Sequence, residues 1–130
     1  VGLTPQAINI LGSYAARGRS DSEADKIVSD AKALDDAGAF AIVVEGVVEP
    51  IAIAVTEAVA AVVIGIGASA RCDGQVLVTE DMLGLFERTA RFVKKYENLA
   101  EVIETAVKSY AGEVTARSFP SADQTYAPKD

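Results

Sequence analysis

Hydrophobic and polar positions follow two distinct rhythms along this chain. Ala24, Ile27, Val28, Ala31 and Leu34 recur at helical spacing and make one apolar face. Just ahead of them, Ser20 and Glu23 have the S-x-x-E spacing of a capping box, in which each side chain satisfies a backbone donor of the other residue. Gly38 follows the last apolar position, where a helix end favours a left-handed residue. The spacing therefore predicts a helix from the Ser20 cap to about Gly38. Residues 39–44, AFAIVV, are then continuously apolar, a pattern that suits a strand buried on both faces, as in a parallel sheet.

The alternation repeats. A helix is expected over about 50–60, a second buried run over 61–66 (AVVIGI), and a short third strand over 75–78 after a loop holding Gly, Ser and Asp. Helices over about 80–96 and 98–116 follow. Leu99, Val102, Ile103, Ala106, Tyr110 and Val114 give the last an apolar face, and Phe86, Phe92 and Tyr96, at helical spacing, read as core. Residues 1–19 hold Gly2, Pro5, Gly12 and Gly18 and read as a loop with one short helix over 5–11, capped by Thr4. Residues 1–117 thus form the folded α/β part, and 118–130 a polar tail with two prolines and no core of its own.

Helices alternating with buried runs predict parallel strands in an α/β fold. Three strands cannot close a barrel, and an open three-stranded sheet leaves two edges bare. Further strands are expected from sequence outside this stretch. The chain opens on Val1, and its single methionine is Met82, which carries the same expectation of a native start upstream.

Composition narrows the chemistry. The net charge of −7 disfavours nucleic acid and anionic membranes as partners, because both require basic patches. Arg91, Lys94 and Lys95 form the one basic cluster and read as a solvated helix face. With no histidine and only Cys72, a disulfide framework, the N/S ligands of a zinc site and a Ser-His-Asp triad are excluded within the chain, and a reducing cytoplasm is favoured. The apolar stretch over 51–68 is broken by Thr56, Glu57 and two glycines and is not a membrane span.

Glu45 is the leading catalytic candidate. It directly follows an apolar run, at the C-terminal end of an expected strand, where the catalytic groups of α/β sheets and barrels stand. A partly desolvated carboxylate there suits proton abstraction, although a helix cap or a rim salt bridge explains the position equally well. Glu49 reads as helix-start charge, as do Glu80 and Asp81. Gly65 and Gly67 open space for a substrate or for a neighbouring segment, and their loop lacks dinucleotide spacing. Asp73-Gly74 reads as a turn, and Cys72 has no histidine to activate it.

Taken in order, several segments resemble one family. Val1-Gly2-Leu3-Thr4-Pro5-Gln6, Gly38-Ala39-Phe40 into Val44-Glu45, Ile64-Gly65-Ile66-Gly67-Ala68, Cys72-Asp73-Gly74-Gln75-Val76-Leu77-Val78, Asp81-Met82-Leu83-Gly84 and Arg91-Phe92-Val93-Lys94 are similar to successive motifs of ketopantoate hydroxymethyltransferases. The resemblance reaches to about Pro120. It implies strands six to eight and the following helices of a (β/α)₈ TIM barrel in a homodecameric enzyme. The family's reaction transfers a hydroxymethyl group from 5,10-methylenetetrahydrofolate to α-ketoisovalerate, giving ketopantoate for pantothenate synthesis. The strand-six glutamate, the general base, maps onto Glu45, while the Mg²⁺-binding acids and a substrate-contacting lysine belong to the absent N-terminal half. The isolated stretch is accordingly expected to be inactive.

The sequence departs from the family's usual pattern at several places. Glu45-Gly46-Val47-Val48 replaces Glu-Cys-Val-Pro, Val62 a proline, Ser69 a glycine, Glu80 a histidine, and Gln124-Thr125-Tyr126 a terminal His-Ser-Phe. Two other readings stay open on these residues: a Mg²⁺-dependent lyase or mutase on another α-keto acid, and a degenerate half-barrel serving as an assembly partner.

Overall fold

The computed structural model describes residues 1–4 and 15–128, so the short helix expected over 5–11 lies outside it. Two compact units are present, Val1–Val78 with Ala90–Val93, and Thr79–Thr89 with Lys94–Asp130.

In the first unit, helix α1 (Asp21–Asp36) starts where the sequence predicts, with the Ser20 hydroxyl accepting the Glu23 N–H at 3.4 Å. The expected box closes in one direction only. The Glu23 carboxylate reaches past the cap to the N–H groups of Gly18 (2.8 Å) and Arg19 (3.2 Å). The Arg17 guanidinium, 3.2 Å from the other carboxylate oxygen, draws it toward the incoming loop. At the far end the Gly38 N–H donates to Asp35 O (2.8 Å) and the Ala39 N–H to Leu34 O (3.0 Å), the paired bonds of a Schellman ending.

Three parallel strands follow in spatial order β1 (Ala41–Glu45), β2 (Val62–Ile66), β3 (Gly74–Gln75). Helix α2 (Glu49–Ala58) joins the first two, and Pro50 sits in its first turn, where a missing N–H costs nothing. The register runs from Ala41↔Val62 to Glu45↔Ile66, and Ile64 pairs with Gly74. On the other edge of β1, Gly2 bridges Glu45 in parallel, with Leu3 N–H donating to Glu45 O (2.7 Å) and Glu45 N–H to Val1 O (3.0 Å). The third strand is shorter than the expected 75–78: after Gln75 a single bond from Val76 N–H to Gly65 O (3.0 Å) continues the pairing.

Alternation splits the strands into two faces. Ile42, Val44 and Val63 pack with Ile27 and Ala31 of α1 and Ala52 and Val55 of α2 in one core. Val43 and Val62, on the opposite face, are 48% and 49% exposed. The expectation of a strand covered on both sides is met on one side only, because both helices lie on the same face.

Two carboxylates tie the loops down. Asp35, at the end of α1, accepts the N–H groups of Ala60 and Ala61 at 2.9 Å each, just before β2. Asp73 accepts the Val63 N–H at 2.8 Å, so its role extends beyond the expected turn. Parallel strands are ordinarily joined through about a dozen residues or more; residues 67–73 make the β2–β3 link without a helix.

The second unit corrects the sequence reading. The helix expected over 80–96 is a single turn, α3 (Thr79–Met82). Gly84, at φ +73°, ends it in a second Schellman arrangement, Gly84 N–H to Asp81 O (3.1 Å) and Leu85 N–H to Glu80 O (2.9 Å). A side chain at Gly84 would also overlap the Glu97 carbonyl oxygen, so the chain turns and returns there. Phe86 and Tyr96 are consequently exposed rather than core. Helix α4 (Leu99–Thr115) forms as expected, but Val102, Ile103, Tyr110 and Val114 on its apolar face are exposed. In the tail, Ser121 and Gln124 form a capping box on a 3₁₀ turn (Ala122–Gln124), and Phe119 packs edge-on against Tyr110 at 5.4 Å.

Candidate active site at the strand ends

Glu45 is the last residue of β1 and is half-buried. Its backbone is held on both sides, by residues 1–3 at one edge and, through Gly46 N–H to Ile66 O (2.8 Å), by β2 at the other. Strand alternation puts its side chain on the face of Val43, away from both helices. Ile64 and Ile66, the register partners of Val43 and Glu45, continue that face on β2. The carboxylate thus borders an aliphatic surface.

Neither structural role open to Glu45 in the sequence is taken up. Val48, not Glu45, is the N-cap of α2, and no side chain caps that helix. No ion pair among the described residues engages the Glu45 carboxylate. A carboxylate on a fixed strand end, beside apolar side chains and outside the ion pairs of the described residues, can take a proton from carbon.

The neighbouring rim loops are joined through Ser69, which the sequence marked only as a departure from the family's usual glycine. Ser69 is 5% exposed, and its hydroxyl donates to Glu49 Oε1 (3.3 Å) while accepting the Arg71 N–H (3.1 Å). Its carbonyl accepts from Gln75 Nε2 at 2.7 Å. Glu49, in the first turn of α2 as expected of an acid at a helix start, therefore also anchors the loop after β2.

Both glycines of that loop border protein atoms. A Cβ at Gly65 would meet the Gln75 amide at 3.0 Å and Cys72 Sγ at 3.1 Å, on the same side of the sheet as Val63. Gly67 has φ +61°, and a Cβ there would lie 2.5 Å from the Phe92 ring. Phe92, expected in a helix core, instead sits on this loop as part of Ala90–Val93, 40% exposed. The only sequence signal for that contact was a glycine next to a strand end. Cys72 is buried, with the Thr56 hydroxyl 3.8 Å from its sulfur.

Among the described residues, no three or more Asp, Glu, Cys or His side chains are grouped to hold a metal ion. Glu80 and Asp81 occupy the first turn of α3, where the dipole favours acids. A cavity of about 730 Å³ lies along α1, lined by Val1, Gly2, Arg17, Lys26, Asp30 and Leu34 among others, and Glu45 is not part of its lining. No helix among the described residues is long and apolar enough to cross a membrane.

The profile of the ketopantoate hydroxymethyltransferase family matches residues 1–122. The chain is 75% identical over 129 residues to 3-methyl-2-oxobutanoate hydroxymethyltransferase of Erythrobacter litoralis, covering 99% of this chain and 45% of that protein. It is 71% identical to the protein of the same name from Novosphingobium aromaticivorans, with the same coverage. To that of Sphingopyxis alaskensis it is 63% identical, covering 98% of this chain and 44% of the relative. The chain thus spans about half the length of the curated relatives it matches. With its profile matched almost end to end, this chain belongs to the ketopantoate hydroxymethyltransferase family.

Proposed function

We propose that this chain forms strands six to eight and the following helices of a (β/α)₈ barrel. Completed by the N-terminal half of the same protein, that barrel transfers a hydroxymethyl group from 5,10-methylenetetrahydrofolate to α-ketoisovalerate. Ketopantoate, for pantothenate synthesis in the cytoplasm, is the product. The strand order supports the barrel. Strands β1 and β2 are adjacent, parallel and joined through α2, and α1 and α2 share one face of the sheet. An open doubly wound sheet reverses its strand order and carries helices on both faces, whereas a barrel keeps sequential order with all helices outside. The apolar face of Val43 and Val62 is then the barrel interior.

The observation that carries the chemistry is Glu45 itself: a strand-end carboxylate on the open apolar face that, among the described residues, neither caps a helix nor forms an ion pair. In the proposed reaction Glu45 takes the C3 proton of α-ketoisovalerate, C3 bonds to the methylene carbon of the folate as that carbon's bonds to N5 and N10 break, and water supplies the hydroxyl, so that tetrahydrofolate leaves. Magnesium would supply charge stabilisation from ligands outside this chain. The loop at Gly65 and Gly67 lies one strand over and borders the substrate through its backbone.

The direct test is Glu45→Gln in the full-length protein, followed by deuterium exchange at C3 of α-ketoisovalerate in D₂O by proton NMR. Exchange should slow by about 10²–10⁴-fold, the range for loss of a placed general base. Exchange at the unaltered rate would remove Glu45 from the mechanism.

A further inference from the structure

Phe92 is the one large aromatic that the chain returns to the sheet unit from the region after Thr79. Its segment, Ala90–Val93, groups with Val1–Val78, while the residues on both sides of it belong to the other unit. The ring rests on Gly67, where the left-handed backbone and the missing side chain make room for it. Gly67 directly follows Ile66, and Ile66 is the register partner of Glu45. Phe92 is therefore placed at the same strand ends as the carboxylate, one strand over. Although it is packed on one side, 40% of its surface remains exposed, so the ring still offers apolar area.

From this placement we propose that Phe92 is a specificity-determining residue, forming the apolar wall that receives the branched alkyl group of the α-keto acid. The inference rests on the reading of Glu45 as the base. A carbon acid deprotonated at C3 carries its two methyl groups on the very carbon that meets the carboxylate. Those methyls must lie within a few ångströms of Glu45, and the surface around it is aliphatic where Val43, Ile64 and Ile66 stand. The proposed wall continues this surface from the end of the neighbouring strand, where Phe92 rests on Gly67. Gly67 is then required because any side chain there would displace the ring.

The test uses the full-length protein with Phe92→Ala and Phe92→Leu, each first matched to the parent in thermal melting. Phe92→Ala should raise KM for α-ketoisovalerate roughly tenfold, as loss of about half a buried aromatic contact implies. KM for 5,10-methylenetetrahydrofolate should stay within twofold, and C3 exchange at saturating keto acid should persist. Phe92→Leu should recover most of the affinity, and pyruvate, which lacks the branch, should lose little between parent and Phe92→Ala. An unchanged KM for the keto acid, or a rise confined to the folate, would overturn the assignment. Because Glu45→Gln is read by exchange and Phe92→Ala by KM, a failure of the base assignment and a failure of the wall assignment are told apart.

Discussion

At the start of α1 one carboxylate does three jobs. Glu23 accepts N–H bonds from Gly18 and Arg19 and pairs with Arg17, and these contacts, the Gly18 bond foremost, hold it below its ordinary value of 4.5. The folded state binds this proton less readily than the unfolded chain does, so the contribution of Glu23 to stability is complete above the ordinary carboxylate range. It is lost as pH falls through the lowered folded value. Glu23→Gln in the full-length protein should therefore melt below the parent at neutral pH, with the gap closing on acidification; a gap independent of pH would show that charge plays no part. The pair with Arg17 was hidden in the sequence, since a capping-box spacing says which residue turns back but not how far. The strand-end position of Glu45 was legible because an acid directly after an apolar run has few places to go. Ser69 and Phe92 were not, because each acts through a partner distant in sequence.

Among the elements, α1, β1, α2 and β2 were readable from caps and apolar runs alone, to within a few residues. The helix expected over 80–96 failed at Gly84. Its apolar residues keep a helical spacing, yet a left-handed glycine and the close return of the chain at Glu97 decide the local path. Tertiary contacts of this kind leave no periodic trace. The same applies to Asp35, which reads as one more polar residue near a helix end but accepts two N–H groups from the loop before β2. Asp35→Ala removes charged acceptors from both donors and should destabilise the folded protein by about 1–3 kcal/mol. Urea unfolding of the full-length protein measures this, with keto-acid KM unaltered; a loss under ~0.3 kcal/mol would mean that water replaces the carboxylate without cost.

For the whole molecule, the telling feature is the uncovered sheet face. A continuous apolar run in the sequence announces two covered sides, and among the described residues β1 finds cover on one. Val43→Lys distinguishes a wet surface from an interior. On a solvated face the change should alter stability by no more than about 0.5 kcal/mol. Inside a closed barrel it places a charge among aliphatic side chains and should prevent soluble expression or cost several kcal/mol in the full-length protein.

The brief link between β2 and β3 has a consequence for how this lineage can vary. Residues 67–73 bring the chain back alongside β2 with no helix to absorb a change of length, and Asp73 and Gln75 are both fastened to fixed backbone partners. Because side chains alternate sides along a strand, removing or adding one residue would turn Gln75 from its place beside Gly65 toward the opposite side. Insertions and deletions are therefore closed off in this link.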